Sequence, residues 1–413
     1  MQIRPVSCDY MHMLSGRRSF LTSAWFTRWL PFGAPAAAEA AKSGRAIYEE
    51  LGIRPILNFR GTHTTIGASK QWPELHAAME EAARSFVSLD ELQDKIGERL
   101  SKLIGTESAI VTTGTAGAIT VGTCACIAGT NTAYIRQIPD TTGLKNEVLC
   151  LKLHRNGYDH AVRTAGARMV DIENPERLAE AINPRTAMMY WLGGTSGDYT
   201  WPQTISLEDV LKITKPAGIP VLVDAANMLP PFDNLRKLAA TGVDLICVSG
   251  GKHMRGPQCS GILAGRKDLT AAARLNMSPH SDSLGRPMKV GREEMVGLWL
   301  AAEKYAKLDF EALDKECLRQ AEHIRDVAGK IRGIKTSMEP FDRTRKVRRV
   351  VLQWDESALG ITAAEVEKQL WDGSPRIAVQ RYSPQGLMFT CFMNDPGDER
   401  PAAKRLQEIF RKG

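Results

Sequence analysis

A chain of 413 residues that is 43% hydrophobic holds enough apolar matter for more than one core, which excludes a single small module. Its charged fraction of 24% is ordinary, and a net charge of +7 with only 7% aromatic residues leaves no interleaved basic–aromatic surface for nucleic acid. Eight cysteines without a CxxC pair exclude a zinc-ribbon pattern and read as reduced core thiols, the CxC of Cys124 and Cys126 included.

Residues 1–40 read apart from the rest. Residues 16–21 (GRRSFL) resemble a twin-arginine export motif, a basic pair followed by Phe-Leu. A moderately apolar stretch follows over 23–32, interrupted by Arg28, and residues 34–38 offer small-residue cleavage sites. The expectation is an export segment and a periplasmic or secreted chain. The alternative is a disordered extension of a cytoplasmic one. No run reaches the about 18 apolar residues that a spanning helix needs, so no membrane span is expected.

Apolar positions at three- and four-residue spacing predict helices over 75–85 and 89–104. A strand over 108–113 runs through a Gly/Thr turn into a small-residue helix over 116–128. Further strands are expected at 147–153, 187–192, 220–224, 245–249 and 261–264, with helices at 159–165, 175–181 and 207–217. This alternation predicts an α/β fold with a mostly parallel sheet covered on both faces. Helices over 297–308 and 309–332 lead into a different texture, with strands at 348–354, 376–380 and 387–392 and helices at 363–370 and 402–410. The expected organisation is a large domain over 41–300 and a smaller α+β domain over 301–413.

Three strand ends in this order carry reactive groups. Thr113-Gly114-Thr115-Ala116-Gly117 opens the small-residue helix, where backbone amides and the Thr115 hydroxyl can cradle a phosphate; an ordinary turn is the alternative. Residues 220–224 end in Asp224, a carboxylate at the carboxyl end of a buried strand, costly unless paired with a cation. Residues 245–249 end in Ser249-Gly250-Gly251-Lys252, where glycines permit a sharp turn that presents a lysine. Phosphate turn, aspartate and lysine are the parts that pyridoxal 5′-phosphate (PLP) needs: an anion cradle, a partner for its pyridine nitrogen and a Schiff-base amine. His154 and Tyr158 are candidates to stack on the ring, His154 preferred, and Ser249 is placed to bond the phosphate. Arg376 is a candidate for a substrate carboxylate, with a surface arginine as the alternative.

At residues 249–252 (SGGK), 256–258 (GPQ) and 261–263 (GIL) the sequence resembles the bacterial selenocysteine synthase (L-seryl-tRNA(Sec) selenium transferase)-like family, and within it the D-glucosaminate-6-phosphate ammonia-lyase-type proteins. The resemblance runs from about Ile47 to the C-terminus and includes residues 58–65 (NFRGTHTT), Thr195-Ser196, 288–294 (MKVGREE) and Pro375-Arg376-Ile377. It implies the PLP fold type I, a homodimer or larger oligomer with sites at the subunit interface, Lys252 as the PLP lysine and Asp224 as the pyridinium partner. It also places Gly61-Thr62-His63, with Arg292, along a site for a small amino substrate. The selenium transferases carry an extra N-terminal tRNA-binding domain, and here that space holds the signal-like segment. The expected reaction is an ammonia-releasing α,β-elimination on a small β-hydroxy amino acid or amino sugar acid. The alternative is selenium or sulfur transfer on an aminoacylated carrier. A non-catalytic PLP-fold protein is a third reading, which the intact Asp224 and Lys252 argue against.

Overall fold

The computed structural model describes residues 43–194, 205–339, 345–382 and 385–411. The twin-arginine-like segment and Thr195-Ser196 lie outside the described residues. The chain divides into two compact units that part between Arg54 and Pro55. In the first, the helix Ser43–Glu50 closes on Gly52, whose φ of 68° lets its N–H reach Glu49 O while the Ile53 N–H reaches Tyr48 O.

In chain order the strands of the second unit are β1 (Ile56–Asn58), β2 (Ser108–Thr113), β3 (Glu147–Leu151), β4 (Arg168–Ile172), β5 (Thr186–Leu192), β6 (Val221–Asp224), β7 (Leu245–Ser249) and β8 (Ser260–Gly265), then β9 (Ile334–Met338), β10 (Arg349–Trp354), β11 (Arg376–Ala378), β12 (Gln380–Arg381) and β13 (Gly386–Thr390). A seven-stranded sheet runs β2-β8-β7-β6-β5-β3-β4, with β8 antiparallel to both neighbours and the remaining pairs parallel.

Its central strands read as apolar runs because both faces are buried there. Val111, Val223, Ile246 and Val248 face one core with Leu100, Leu298 and Tyr305; Ile110, Leu222, Leu245 and Cys247 face the other with Ile119 and Ala272. The helix Gly114–Ala128 in the second core is buried on nearly every side, which explains its small residues. A Cβ on Gly122 would sit 2.8 Å from Leu222 Cδ1.

A second, antiparallel sheet of order β12-β13-β10-β9 packs on the helices Phe310–Ala328, Ala363–Asp372 and Glu399–Phe410 around Ile324, Val350, Leu352, Val366, Phe389 and Leu406. The expected α/β class, with an α+β layer at the C-terminal end, is the one found. The short β1 pairs in parallel with β11, Ile56 opposite Arg376, and Phe59 enters this C-terminal core. Residues just before the large sheet are thereby stitched to the far end of the chain. No helix among the described residues is long and apolar enough to cross a membrane.

Register sets the functional edge. Leu192 pairs with Asp224, Asp224 with Cys247, Ser249 with Gly261 and Thr113 with Ser260. The carboxyl ends of β2, β5, β6 and β7 therefore lie along one edge, where open α/β sheets bind ligands. Two turns touch there: a Cβ on Gly261 would come within 2.4 to 2.8 Å of the Gly114 backbone. Gly261→Ala should cost about 1–3 kcal/mol of unfolding free energy in urea titrations. An unchanged midpoint would mean that the turns do not meet.

Candidate active site

Asp224 ends β6 and is 5% exposed. Its Oδ1 accepts the Ala226 N–H at 3.0 Å and its Oδ2 accepts the Tyr190 hydroxyl at 3.1 Å. Burial pushes this carboxyl up, opposed by the Ala226 N–H, the Lys252 charge and the Tyr190 hydroxyl. Tyr190 on β5 is itself pushed up, by burial first and then by Asp224, so it remains a protonated donor. The arrangement holds a carboxylate that is short of a cation.

Lys252 follows β7 through Gly250 and Gly251. A Cβ on Gly250 would meet Leu298 Cδ1 and Ser260 Oγ at 2.4 Å, and one on Gly251 would lie 2.5 Å from the Gln258 Cα. Only glycines make this turn. The half-buried Lys252 donates from Nζ to Asn227 Oδ1 at 3.1 Å. Burial pulls its ammonium down, Asp224 draws it back up and the Arg345 charge lowers it again.

At the neighbouring strand end His154 is buried. Its Nδ1 accepts the Leu192 N–H at 3.3 Å, and its ring stands edge-on to Trp191 with centroids 4.4 Å apart. Burial lowers it to about 4, so the imidazole is neutral at ordinary pH and carries its proton on Nε2. Tyr158 is 76% exposed. Of the two ring-stacking candidates, the strand-end edge takes His154.

Gly114, at φ 63°, starts the helix whose first turn holds Thr115, Ala116 and Gly117. The hydroxyls of Thr113 and Thr115 are both buried without a hydrogen-bond partner among the described residues. Ser249 ends β7, half-buried, along the same edge. Two orphaned hydroxyls beside open helix amides, a buried carboxylate and a lysine whose ammonium is weakened fit PLP at its phosphate, ring nitrogen and aldehyde.

Thr62 and His63 lie on a strap fastened along the lysine loop. Ser69 Oγ donates to Gly251 O at 2.8 Å, Trp72 Nε1 to Met254 O at 2.9 Å and Gln258 Nε2 to Thr64 O at 3.3 Å. Partial burial, then the Arg60 and Lys252 charges, lowers the His63 imidazole. The two expected substrate arginines each bond a nearby helix. Arg292 donates to Ala82 O and Ala83 O, closing the helix Pro73–Ala83, and pairs with Glu293. Arg376 donates to Trp371 O at 3.1 Å and lies over that indole. The sequence reading passed over Asn227, His253 and the buried Arg345. Asn227 and His253 each break an apolar or glycine-rich strand end, which is a usable signal; Arg345 sits in a run of cations that hides it.

Residues 154–285 match the aminotransferase class-V family. A D-glucosaminate-6-phosphate ammonia lyase of Salmonella typhimurium is 30% identical over 377 residues, 88% of this chain and 97% of that enzyme. An L-seryl-tRNA(Sec) selenium transferase of Carboxydothermus hydrogenoformans is 26% identical over 62% of this chain and 57% of its own length. The chain belongs to the selenocysteine synthase-like, PLP-dependent family. A 5′-C-glycyluridine monooxygenase-decarboxylase of a Streptomyces is 29% identical over 91% of this chain and 95% of that enzyme. A solved structure of D-glucosaminate-6-phosphate ammonia-lyase superposes with a TM-score of 0.77 at 29% identity, covering 89% of this chain and 98% of that one. PLP is the cofactor of this family member, and the fold is that of its type I enzymes.

The neutral His154 makes stability pH-dependent. Its folded value of about 4 lies below the ordinary 6.5, so the unfolded chain binds the extra proton between those limits. Stability is full above about pH 6.5 and falls by up to about 3 kcal/mol as pH drops towards 4. In denaturant titrations of the holoenzyme, His154→Phe should flatten this slope relative to wild type. Parallel profiles would show an imidazole that protonates freely in the fold.

Proposed function

We propose that this enzyme is a PLP-dependent ammonia lyase that carries out α,β-elimination on a small β-hydroxy amino acid or amino sugar acid. The observation that carries this reading is the buried Asp224, held by Tyr190 and Ala226, together with a lysine whose ammonium is weakened by burial. When bound, PLP supplies an aldehyde that captures the substrate amine and a cationic ring that accepts the electrons of the broken Cα–H bond.

Asp224 would keep a proton on the ring nitrogen, and the Tyr190 and Ala226 bonds fix the carboxylate for that contact. Thr113, Thr115, the amides of Ala116 and Gly117, and Ser249 would hold the phosphate. His154, a neutral imidazole, would cover the ring face. Lys252 Nζ, free as an amine more readily than an exposed lysine, takes the Cα proton and returns it to the departing β-hydroxyl, which leaves as water. Hydrolysis then restores the water, so the net products are a keto acid and ammonia. Thr62 and His63, fastened to the lysine loop by the strap, line the substrate side.

A second reading is favoured by the Streptomyces relative, named for a monooxygenase-decarboxylase and matched over nearly the same span. Selenium or sulfur transfer on an aminoacylated carrier is supported more weakly, by transferases that this chain matches over 57% of their length. For assembly we propose a homodimer, in which a second copy covers the exposed Phe86 and Val87. Export through the twin-arginine route is supported by residues 16–21 alone. Processing to a shorter form that disappears in an Arg17→Lys, Arg18→Lys variant is the check.

Purified holoenzyme should release equimolar ammonia and keto acid from members of a set of D- and L-β-hydroxy amino acids and aminosugar acids. Lys252→Ala should lower the rate by about two to four orders of magnitude. Oxygen uptake with carbon dioxide release, and no ammonia from any member of the set, would sink the elimination reading in favour of the oxygenase.

A further inference from the structure

Six polar side-chain atoms outside the machinery described above are buried without a hydrogen-bond partner among the described residues, and three of them are Arg60 Nε, His253 Nδ1 and Asn394 Oδ1. Their carriers come from three separated stretches of sequence, yet contacts draw them to one seam. His253 follows Lys252 directly, is 4% exposed, and sets its ring edge-on to Phe392 with centroids 4.7 Å apart. Asn394 lies two residues beyond Phe392. Its Nδ2 donates to Thr390 O at 3.3 Å, which orients the amide and leaves Oδ1 as the free oxygen. The Thr390 N–H donates in turn to Phe59 O at 2.8 Å, and Arg60 is the next residue. At Gly61 a Cβ would stand 3.7 Å from Thr390 Cγ2, so strap and strand end are in close contact. The seam therefore joins the strap, the end of β13 and the lysine loop.

A buried polar atom with no partner forfeits its hydration for nothing, and a cluster of them beside a catalytic lysine calls for a ligand that completes it. We propose that Arg60, His253 and Asn394 are specificity-determining residues that read the hydroxyl-bearing chain of the substrate beside Lys252. This rests on the elimination reading and names its substrate class more closely.

The chemistry of the set selects the ligand. Arg60 Nε can only donate, and Asn394 Oδ1 can only accept. Burial and the charges of Arg345, Lys252 and Arg349 hold His253 far below its ordinary value, so it is a neutral ring that offers one donor and one acceptor. A phosphate or carboxylate brings acceptors alone; it satisfies Arg60 and is repelled by the Asn394 oxygen. A hydroxyl both donates and accepts. Successive hydroxyls on an aminosugar acid can answer all three atoms, whereas a short amino acid with one β-hydroxyl leaves some of them bare. Sites built around substrate hydroxyls discriminate strongly against analogues that lack them, because the protein groups then stay unpaired.

The test titrates holoenzyme with 2-amino-2-deoxy-D-gluconate and, separately, with D-serine. Read by stopped flow in the first phase, before ammonia is released, the change in the bound cofactor's visible absorbance gives a dissociation constant for each compound. Wild type should bind the gluconate more tightly. In His253→Phe, which keeps an aromatic ring against Phe392 but removes both nitrogens, the ratio of the two constants should shrink by about tenfold. Asn394→Leu should shrink it in the same direction, and His253→Gln, which restores a donor and an acceptor, should recover part of the loss. A ratio within about twofold of wild type in both His253→Phe and Asn394→Leu overturns the proposal. So does a wild type without preference between the compounds. Ammonia release from neither compound by wild type counts against the elimination reading, while the binding ratios still decide the role of the seam.

Discussion

A carboxylate at the end of a buried strand has to find a cation, and the placement of Asp224 organises the edge around it. The apolar strand that carries it, β6, is in the middle of the sheet with both faces covered, so water cannot solvate the charge. Tyr190 and the Ala226 amide fix its orientation, and Lys252 supplies an attraction across the site. None of these cancels the burial. The carboxyl therefore stands higher than an exposed aspartate until a positively charged ring nitrogen meets it. Cofactor binding and the electrostatics of the sheet are thus a single problem, solved at one residue.

The antiparallel strand is what makes room for the lysine. Because β8 runs against β7, the turn between them returns at the same edge as the carboxyl ends of β5 and β6. Gly250 and Gly251 let that turn press on Ser260, Leu298 and the Gln258 backbone, and Gly261 lets it close on Gly114. Side chains at those positions would push the lysine loop away from the phosphate turn. The spacing of the phosphate turn and the lysine loop is therefore set by glycine contacts as much as by the reactive groups they carry.

The central strands and their reactive ends were legible in the sequence because burial on two faces leaves an unmistakable signal. Residues 108–113 and 245–249 were read with their boundaries intact, and the order phosphate turn, aspartate, lysine sufficed to name the cofactor. What escaped was at the margins. β4 (RMVDI) lies at the sheet's edge with exposed polar positions, and β9 (IKTSM) alternates on the rim of the second sheet, so neither presents an apolar run. β1 is three residues long and owes its conformation to a partner more than 300 residues away. Arg292 and Arg376 sit in motif-like surroundings, and no local pattern reports the backbone carbonyls of nearby helices that they bond, Ala82 and Ala83 for the first and Trp371 for the second. Arg345 and Asn394 become visible only when separate loops are brought together.

The division of labour within the fold explains how relatives with such different names share one frame. The groups that fit the cofactor all come from strand ends of the large sheet and are fixed by its register, so they resist change without loss of the core. The substrate side is assembled differently: a strap hydrogen-bonded to the lysine loop, a strand end from the second sheet, and the buried Arg345 and His253. These elements are tied to one another by a few hydrogen bonds, such as the Thr390 N–H to Phe59 O and the Trp72 indole to Met254 O. Side chains there can be exchanged without disturbing Asp224 or Lys252. Differences in substrate, and in the fate of the activated Cα–H bond, are therefore expected to reside on the strap and the second sheet, where Arg60 and Asn394 keep unpaired polar atoms.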